Sequence, residues 1–111
     1  MAQIIDISSR ITNELPLVKI SDDLTITVNN RKNTILNVQA MVAEFEKKAK
    51  EDPELNEVVM IGKAIEMLAG AKSAKAIEEL DLPMPEYKVV YHAIMAAATG
   101  TSLEDVDRFQ G

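Results

Sequence analysis

Between Leu15 and Val28 apolar and polar residues alternate: Val18 and Ile20 flank Lys19, and Leu24, Ile26 and Val28 are separated by Thr25 and Thr27. Successive side chains of a strand point to opposite faces, so this pattern predicts a β-hairpin over residues 15–30 with one apolar face. Ser21-Asp22-Asp23 supplies the turn, because such side chains bond nearby backbone groups. Asn29-Asn30-Arg31-Lys32 closes the second strand. A lone hairpin is marginal in water, so the rest of the chain must cover its apolar face. Upstream, Ile4, Ile5 and Ile7 read either as a third strand or as part of a loose arm over residues 1–13.

From Thr34 the period changes to that of a helix. Ile35, Val38, Val42, Phe45 and Ala49 recur every three or four residues through Lys50, opposite Asn37, Glu44, Lys47 and Lys48. Asp52 is a candidate cap and Pro53 a first-turn residue for a second helix over Pro53–Ala69. Its apolar face holds Leu55, Val58, Ile61, Gly62, Ile65, Leu68 and Ala69, and Gly70 is placed to end it. A short segment, Ser73–Leu80, precedes Leu82-Pro83-Met84-Pro85, where proline breaks the chain direction. Pro85 opens a third long helix ending near Gly100, and Thr101-Ser102-Leu103-Glu104 has capping-box spacing for a last turn through Phe109. Residues 34–110 are thus helical. The expected fold is α+β, mostly α: an N-terminal β-hairpin, extendable to three strands, packed on three longer helices and shorter helical segments.

At 111 residues the chain has the length of one domain, 1–111. Its aromatic residues are Phe45, Phe109, Tyr87 and Tyr91, so the core is aliphatic. The net charge is −6, and residues 54–111 hold ten acids against five bases. The basic clusters Arg31-Lys32 and Lys47-Lys48-Lys50 are short and flanked by acids, which argues against a nucleic acid or an anionic membrane as partner. Zero cysteines point to an intracellular setting. Residues 1–9 lack a secretory pattern and no run reaches membrane-spanning length, so a cytoplasmic location is expected.

Chemistry is hard to find. One histidine and no cysteine leave neither Cys-His nor paired-His metal spacing, and His92, between Tyr91 and Ala93, reads as a polar-edge residue. Gly70-Ala71-Lys72-Ser73 lacks the glycine spacing of a phosphate loop. Asp22-Asp23 and Glu78-Glu79-Asp81 lack calcium-loop spacing and read as a turn and a solvated face. No catalytic, cofactor-binding or metal-binding residue is assigned. An enzyme reading would need acids such as Glu66 or Glu86 to be desolvated in a pocket.

The residue pattern points instead to protein binding. Over Pro85–Thr99 only Glu86, Lys88 and His92 are strongly polar. Tyr87, Tyr91 and Met95 follow one another at four-residue spacing beside Val90, Ile94 and Ala98, and Val89, Ala93, Ala96 and Ala97 extend the apolar surface. A helix apolar all round is either central to its own core or shared with a partner, and a small domain favours the first. Met60 and Met67 flank Ala64 away from the main stripe; they form a second exposed patch or pack beneath the proline-rich connection. Met60, Met67, Tyr87, Tyr91 and Met95 are therefore the candidate partner-binding residues, with an amphipathic partner helix lying between the second and third long helices.

The segment Leu82-Pro83-Met84-Pro85-Glu86-Tyr87 leads to Ala93-Ile94-Met95-Ala96-Ala97-Ala98-Thr99-Gly100, then Ser102-Leu103-Glu104-Asp105-Val106 and Arg108-Phe109. It resembles the C-terminal part of small tail assembly chaperones of long-tailed (siphovirus-like) bacteriophages and prophages. The hairpin, Thr34-Ile35-Leu36-Asn37-Val38 and the following helix are compatible with the same family. The resemblance implies a non-enzymatic protein of the bacterial host cytoplasm that coats the helical, aggregation-prone tape measure protein and recruits tail-tube protein. Self-association along the client is compatible with it, and the short form of a frameshifted pair would end as this chain does. A structural connector or tail-completion subunit retained in the particle is the competing reading.

Overall fold

The two-residue alternation folds as a hairpin. β1 (Leu17–Ser21) and β2 (Leu24–Thr27) pair antiparallel, with Val18 opposite Ile26 and Lys19 opposite Thr25. The register shifts between Lys19 and Ser21, so β1 carries an extra residue before the Asp22-Asp23 turn. The computed structural model describes residues 3–11, 14–52 and 56–100. Among these the sheet has two strands; Ile4, Ile5 and Ile7 belong to an exposed arm with a single 3-10 turn at Ser8–Arg10.

Four helices follow among the described residues: α1 (Lys32–Glu51), α2 (Glu57–Ala69), α3 (Ala71–Glu79) and α4 (Met84–Thr99). The fold is α+β, mostly α, with the hairpin packed on the helices. The N-terminus of α2 differs from the sequence expectation. Asn56 is the cap, its side-chain oxygen accepting from the Val58 N–H at 2.8 Å. This removes one of the unpaired donors at a helix start. The expected start at Pro53 and Leu55, like the final turn over Thr101–Phe109, lies outside the described residues. At the other end α4 begins at Met84 with Pro85 in its first turn, and Gly100, in the left-handed region at φ 74°, caps it.

The core is centred on α2. Met60, Ile61, Ala64, Ile65 and Leu68 are all buried, a face wide enough to meet neighbours on several sides. α1, α3 and α4 all pack against it, and β1 rests on α4. Ile26 and Val28 of the hairpin, Val38 of α1, Ile77 of α3 and Ile94 of α4 complete the cluster. A backbone bond clamps the hairpin to α2: the Asn29 N–H donates to the Leu68 carbonyl at 2.7 Å, satisfying one of the helix's last, otherwise unpaired acceptors.

Gly70 joins α2 directly to α3, ending one helix and preceding the other with φ 91° and ψ 159°. That backbone region is open essentially to glycine alone. Gly62, by contrast, sits inside α2, where an added Cβ would meet Tyr87 Oη at 3.7 Å, an ordinary contact. The two positions are therefore expected to respond oppositely to alanine. Gly70→Ala should cost about 1–3 kcal/mol through backbone strain, although nothing lies within 4 Å of the new methyl group. Gly62→Ala should stabilise by roughly 0.5–1 kcal/mol through helix propensity. Urea unfolding of both variants, read as the shift in midpoint, checks the pair.

Candidate binding grooves

α1 and α4 both lean on α2, and a groove of about 260 Å³ runs between them. Val38 and Val42 from α1 face Tyr91 and Met95 from α4, with Gln39, Ala43 and Glu46 along the rim. Helical spacing produces this lining. Val38 and Val42 stand one turn apart on α1, and Tyr91 and Met95 one turn apart on α4, so two short apolar rows oppose each other. Val38 and Tyr91 are buried, Val42 and Met95 are half-buried, and Ala43 is exposed. The floor is mostly apolar while the mouth is open, which suits the apolar side chains of a docked helix.

Tyr91 gives the groove its polar edge. Burial pushes its hydroxyl pKa up from the usual tyrosine value, and the negative charges of Glu57 and Glu46 push it further. The neighbouring His92 ring is tilted 46° to Tyr91, with centroids 5.6 Å apart, and is half-buried. Glu57, in the first turn of α2, is paired with Lys88 of α4 at 3.4 Å. This ion pair bridges exposed side chains and contributes little to stability.

The five residues singled out from the sequence fall in four places. Tyr91 and Met95 share the α1–α4 groove. Tyr87 is buried at the junction of α2, α3 and α4, where its hydroxyl donates to Glu78 Oε1 at 3.3 Å. Burial raises the Tyr87 pKa first, and the charge of Glu78 and the hydrogen bond to it add to that. Met60 is buried in the core and offers no exposed patch in this chain. Met67 is exposed near the end of α2, beside Leu15, Thr27 and Arg31. Met60 and Met67, seven residues apart, therefore do not form one exposed surface: the buried face of α2 is broader than the stripe read from its sequence and takes in Met60.

Val38, Val42 and Ala43 were not among the candidate residues, although Val38 and Val42 were legible as α1's apolar face. Which flank of that face meets α4 depends on how α1 crosses α2, and the sequence carries no direct signal of that angle.

The acids take ordinary positions. Glu66 and Glu86 are exposed, Asp22 and Asp23 form the hairpin turn, and Glu78 serves Tyr87. Among the described residues no group of three or more His, Cys, Asp or Glu side chains converges as metal ligands would. Among them also, no helix is long and apolar enough to cross a membrane. Comparison with protein-family models, curated proteins and solved structures gives no match to this chain.

The raised tyrosine values have a pH consequence. A group whose folded pKa exceeds its unfolded value stabilises the fold below the unfolded pKa and loses that contribution as pH rises through the folded one. For Tyr91 and Tyr87 the loss begins near pH 10, the unperturbed tyrosine value. Stability measured by denaturant unfolding should therefore fall above about pH 10. In Tyr91→Phe the fall should be shallower, and equal slopes in the two proteins would refute the assignment.

Proposed function

We propose that this chain is a non-enzymatic holding protein, a tail assembly chaperone whose client is the helical tape measure protein of a long-tailed phage. In this reading it keeps the client soluble in the bacterial cytoplasm and helps recruit tail-tube protein. The observation that carries the proposal is the α1–α4 groove, an open apolar cleft floored by Val38, Val42, Tyr91 and Met95. The resemblance over Leu82–Tyr87 and Ala93–Gly100 supports it, because Met95 of the second segment lines the α4 wall of the groove. The acidic surface supports it as well: a net charge of −6 disfavours nucleic acid and keeps a complex with an apolar rod dispersed.

A client helix would lay one apolar side chain per turn between the two rows, with Ala43 permitting close approach and Glu46 meeting a basic group at the rim. Affinity then depends on keeping the mouth uncharged. Ala43→Asp places a carboxylate at that mouth on an exposed helix position, so the fold survives while docking is penalised. Co-expression with a tape measure protein, scored by soluble complex and by titration of client fragments, should show affinity lower by about tenfold or more, roughly 1.4 kcal/mol. Melting temperature should change little. Equal binding by wild type and Ala43→Asp would remove the groove from the interface. Failure of wild type to solubilise any of several client fragments would remove the client.

A further inference from the structure

A second groove lies on the other flank of α1. Met41 and Phe45 of α1 face Val59 of α2 across a cavity of about 220 Å³, and Lys48, Lys63 and Glu44 stand at its rim. Val59 is 50% exposed. Lys48 is taken up by Glu44 at 3.0 Å, whereas Lys63 has no ion pair among the described residues. The groove is therefore apolar at its floor and carries at its edge a cation, Lys63, that makes no ion pair with a described residue and only adds its field to that of Lys48 at Glu44.

The N-terminal arm has the complementary chemistry. Ile4, Ile5, Ile7 and Ile11 are 89%, 80%, 53% and 62% exposed, so four large aliphatic side chains within eight positions face water. Single exposed apolar residues are common on proteins, but a contiguous set marks a contact surface. Between Ile5 and Ile7 lies Asp6, whose Oδ1 accepts from both the Ser8 N–H at 2.9 Å and the Ser8 hydroxyl at 2.7 Å. These bonds hold the Asp6 pKa below the usual carboxylate range, so the group stays anionic, and both fall on one oxygen. The second carboxylate oxygen remains for a cation. The bend they fix continues into the 3-10 turn, where the Arg10 N–H donates to the Ile7 carbonyl at 2.8 Å.

We infer that the arm of one chain docks in the α1–α2 groove of a second copy, with Ile4 and Ile5 against Met41, Phe45 and Val59 and Asp6 paired with Lys63. Two observations select a second copy as the occupant. Within the single chain the arm does not lie on its own body, since its isoleucines stay exposed while the groove stays open. The charges also match in sign, acid in the arm and lysine at the rim. The contact is head-to-tail, joining two different surfaces, so each copy keeps one free arm and one free groove for the next unless the ring closes. The inference is independent of what occupies the α1–α4 groove, because it uses the opposite flank of α1 and needs no client.

Sedimentation equilibrium of the full chain alone tests it. Wild type should self-associate, and Ile4→Asp/Ile5→Asp should raise the dissociation constant by about tenfold or more, while the melting temperatures of the two, measured at dilution where both are monomeric, stay equal, since the arm adds nothing to the core. Lys63→Glu should raise it by about two- to fivefold, and adding Asp6→Lys to Lys63→Glu should restore it. A chain that stays monomeric at every concentration, or arm variants that associate like wild type, would overturn the inference and leave the groove to another protein. Because the chain has no cysteine, the pairing can be read directly by mixing an Ile5→Cys copy with a Val59→Cys copy under glutathione disulfide. A disulfide between the two copies is expected. An Ile5→Cys/Val59→Cys chain that instead closes on itself when dilute shows the arm in its own groove and overturns the second copy.

Discussion

The structure depends on burying a thirteen-residue helix on several sides at once. α2 is too short to be stable alone in water, since helices of that length recover the cost of nucleation only through tertiary packing. It is also too apolar to be left on a surface, with Met60, Ile61, Ala64, Ile65 and Leu68 all buried. These two facts set the rest of the architecture. α1, α3 and α4 are arranged around it because its buried face spans more than one neighbour can cover. The hairpin is held by the same helix, its last residues tied to the free Leu68 carbonyl. A fully buried aliphatic side chain contributes roughly 1.5–3 kcal/mol, so α2 with its neighbours Ile77, Ile94, Val28 and Val38 supplies most of the driving force available to a chain with few aromatics.

Seen from this centre, α4 resolves an ambiguity that its sequence poses. A helix apolar around nearly its whole circumference could be a core element or a shared one, and α4 is mostly the former: Tyr87, Val90, Tyr91, Ile94, Ala96 and Ala98 are buried. The four-residue spacing of Tyr87, Tyr91 and Met95 correctly puts them on one side of the helix. It does not put them in one site, because that side runs past two different neighbours. Tyr87 meets α3 through Glu78, and one turn later Tyr91 and Met95 have passed on to α1. A spacing rule defines a line along one helix; a site needs a second element, and the crossing of that element is a long-range property.

The same distinction explains what was legible in the fold. The hairpin, α1 and the end of α4 follow from local rules: alternation for Val18 to Val28, the three-and-four spacing of Ile35 to Ala49, and Gly100 as a left-handed cap. Gly70 was readable as a stop because the conformation it adopts is one other residues avoid. The start of α2 was not, since Asp52-Pro53 and Asn56 both satisfy local capping chemistry and only packing decides between them. The arm was ambiguous for a related reason. Ile4, Ile5 and Ile7 have strand-forming side chains, but a strand needs an edge to pair with, and among the described residues the hairpin's two strands bond only to each other.

α1 shows how the remaining surface follows from the central constraint. It is the longest helix, twenty residues, yet Val38 is its one fully buried residue. Ile35, Met41, Val42 and Phe45 are half-covered, because α2 is narrower than the apolar stripe that α1 presents to it. The stripe therefore overhangs on both flanks: toward α4, where Val42 lines one groove, and toward the outer side of α2, where Met41 and Phe45 line the other. Each half-covered side chain keeps part of its transfer free energy unrealised, at about 25 cal/mol per Å² of apolar surface left in water. A shorter stripe would have left a simpler monomer with no overhang. The excess of apolar surface on α1 is thus divided by the central helix between two clefts, one on each flank, rather than gathered in one pocket.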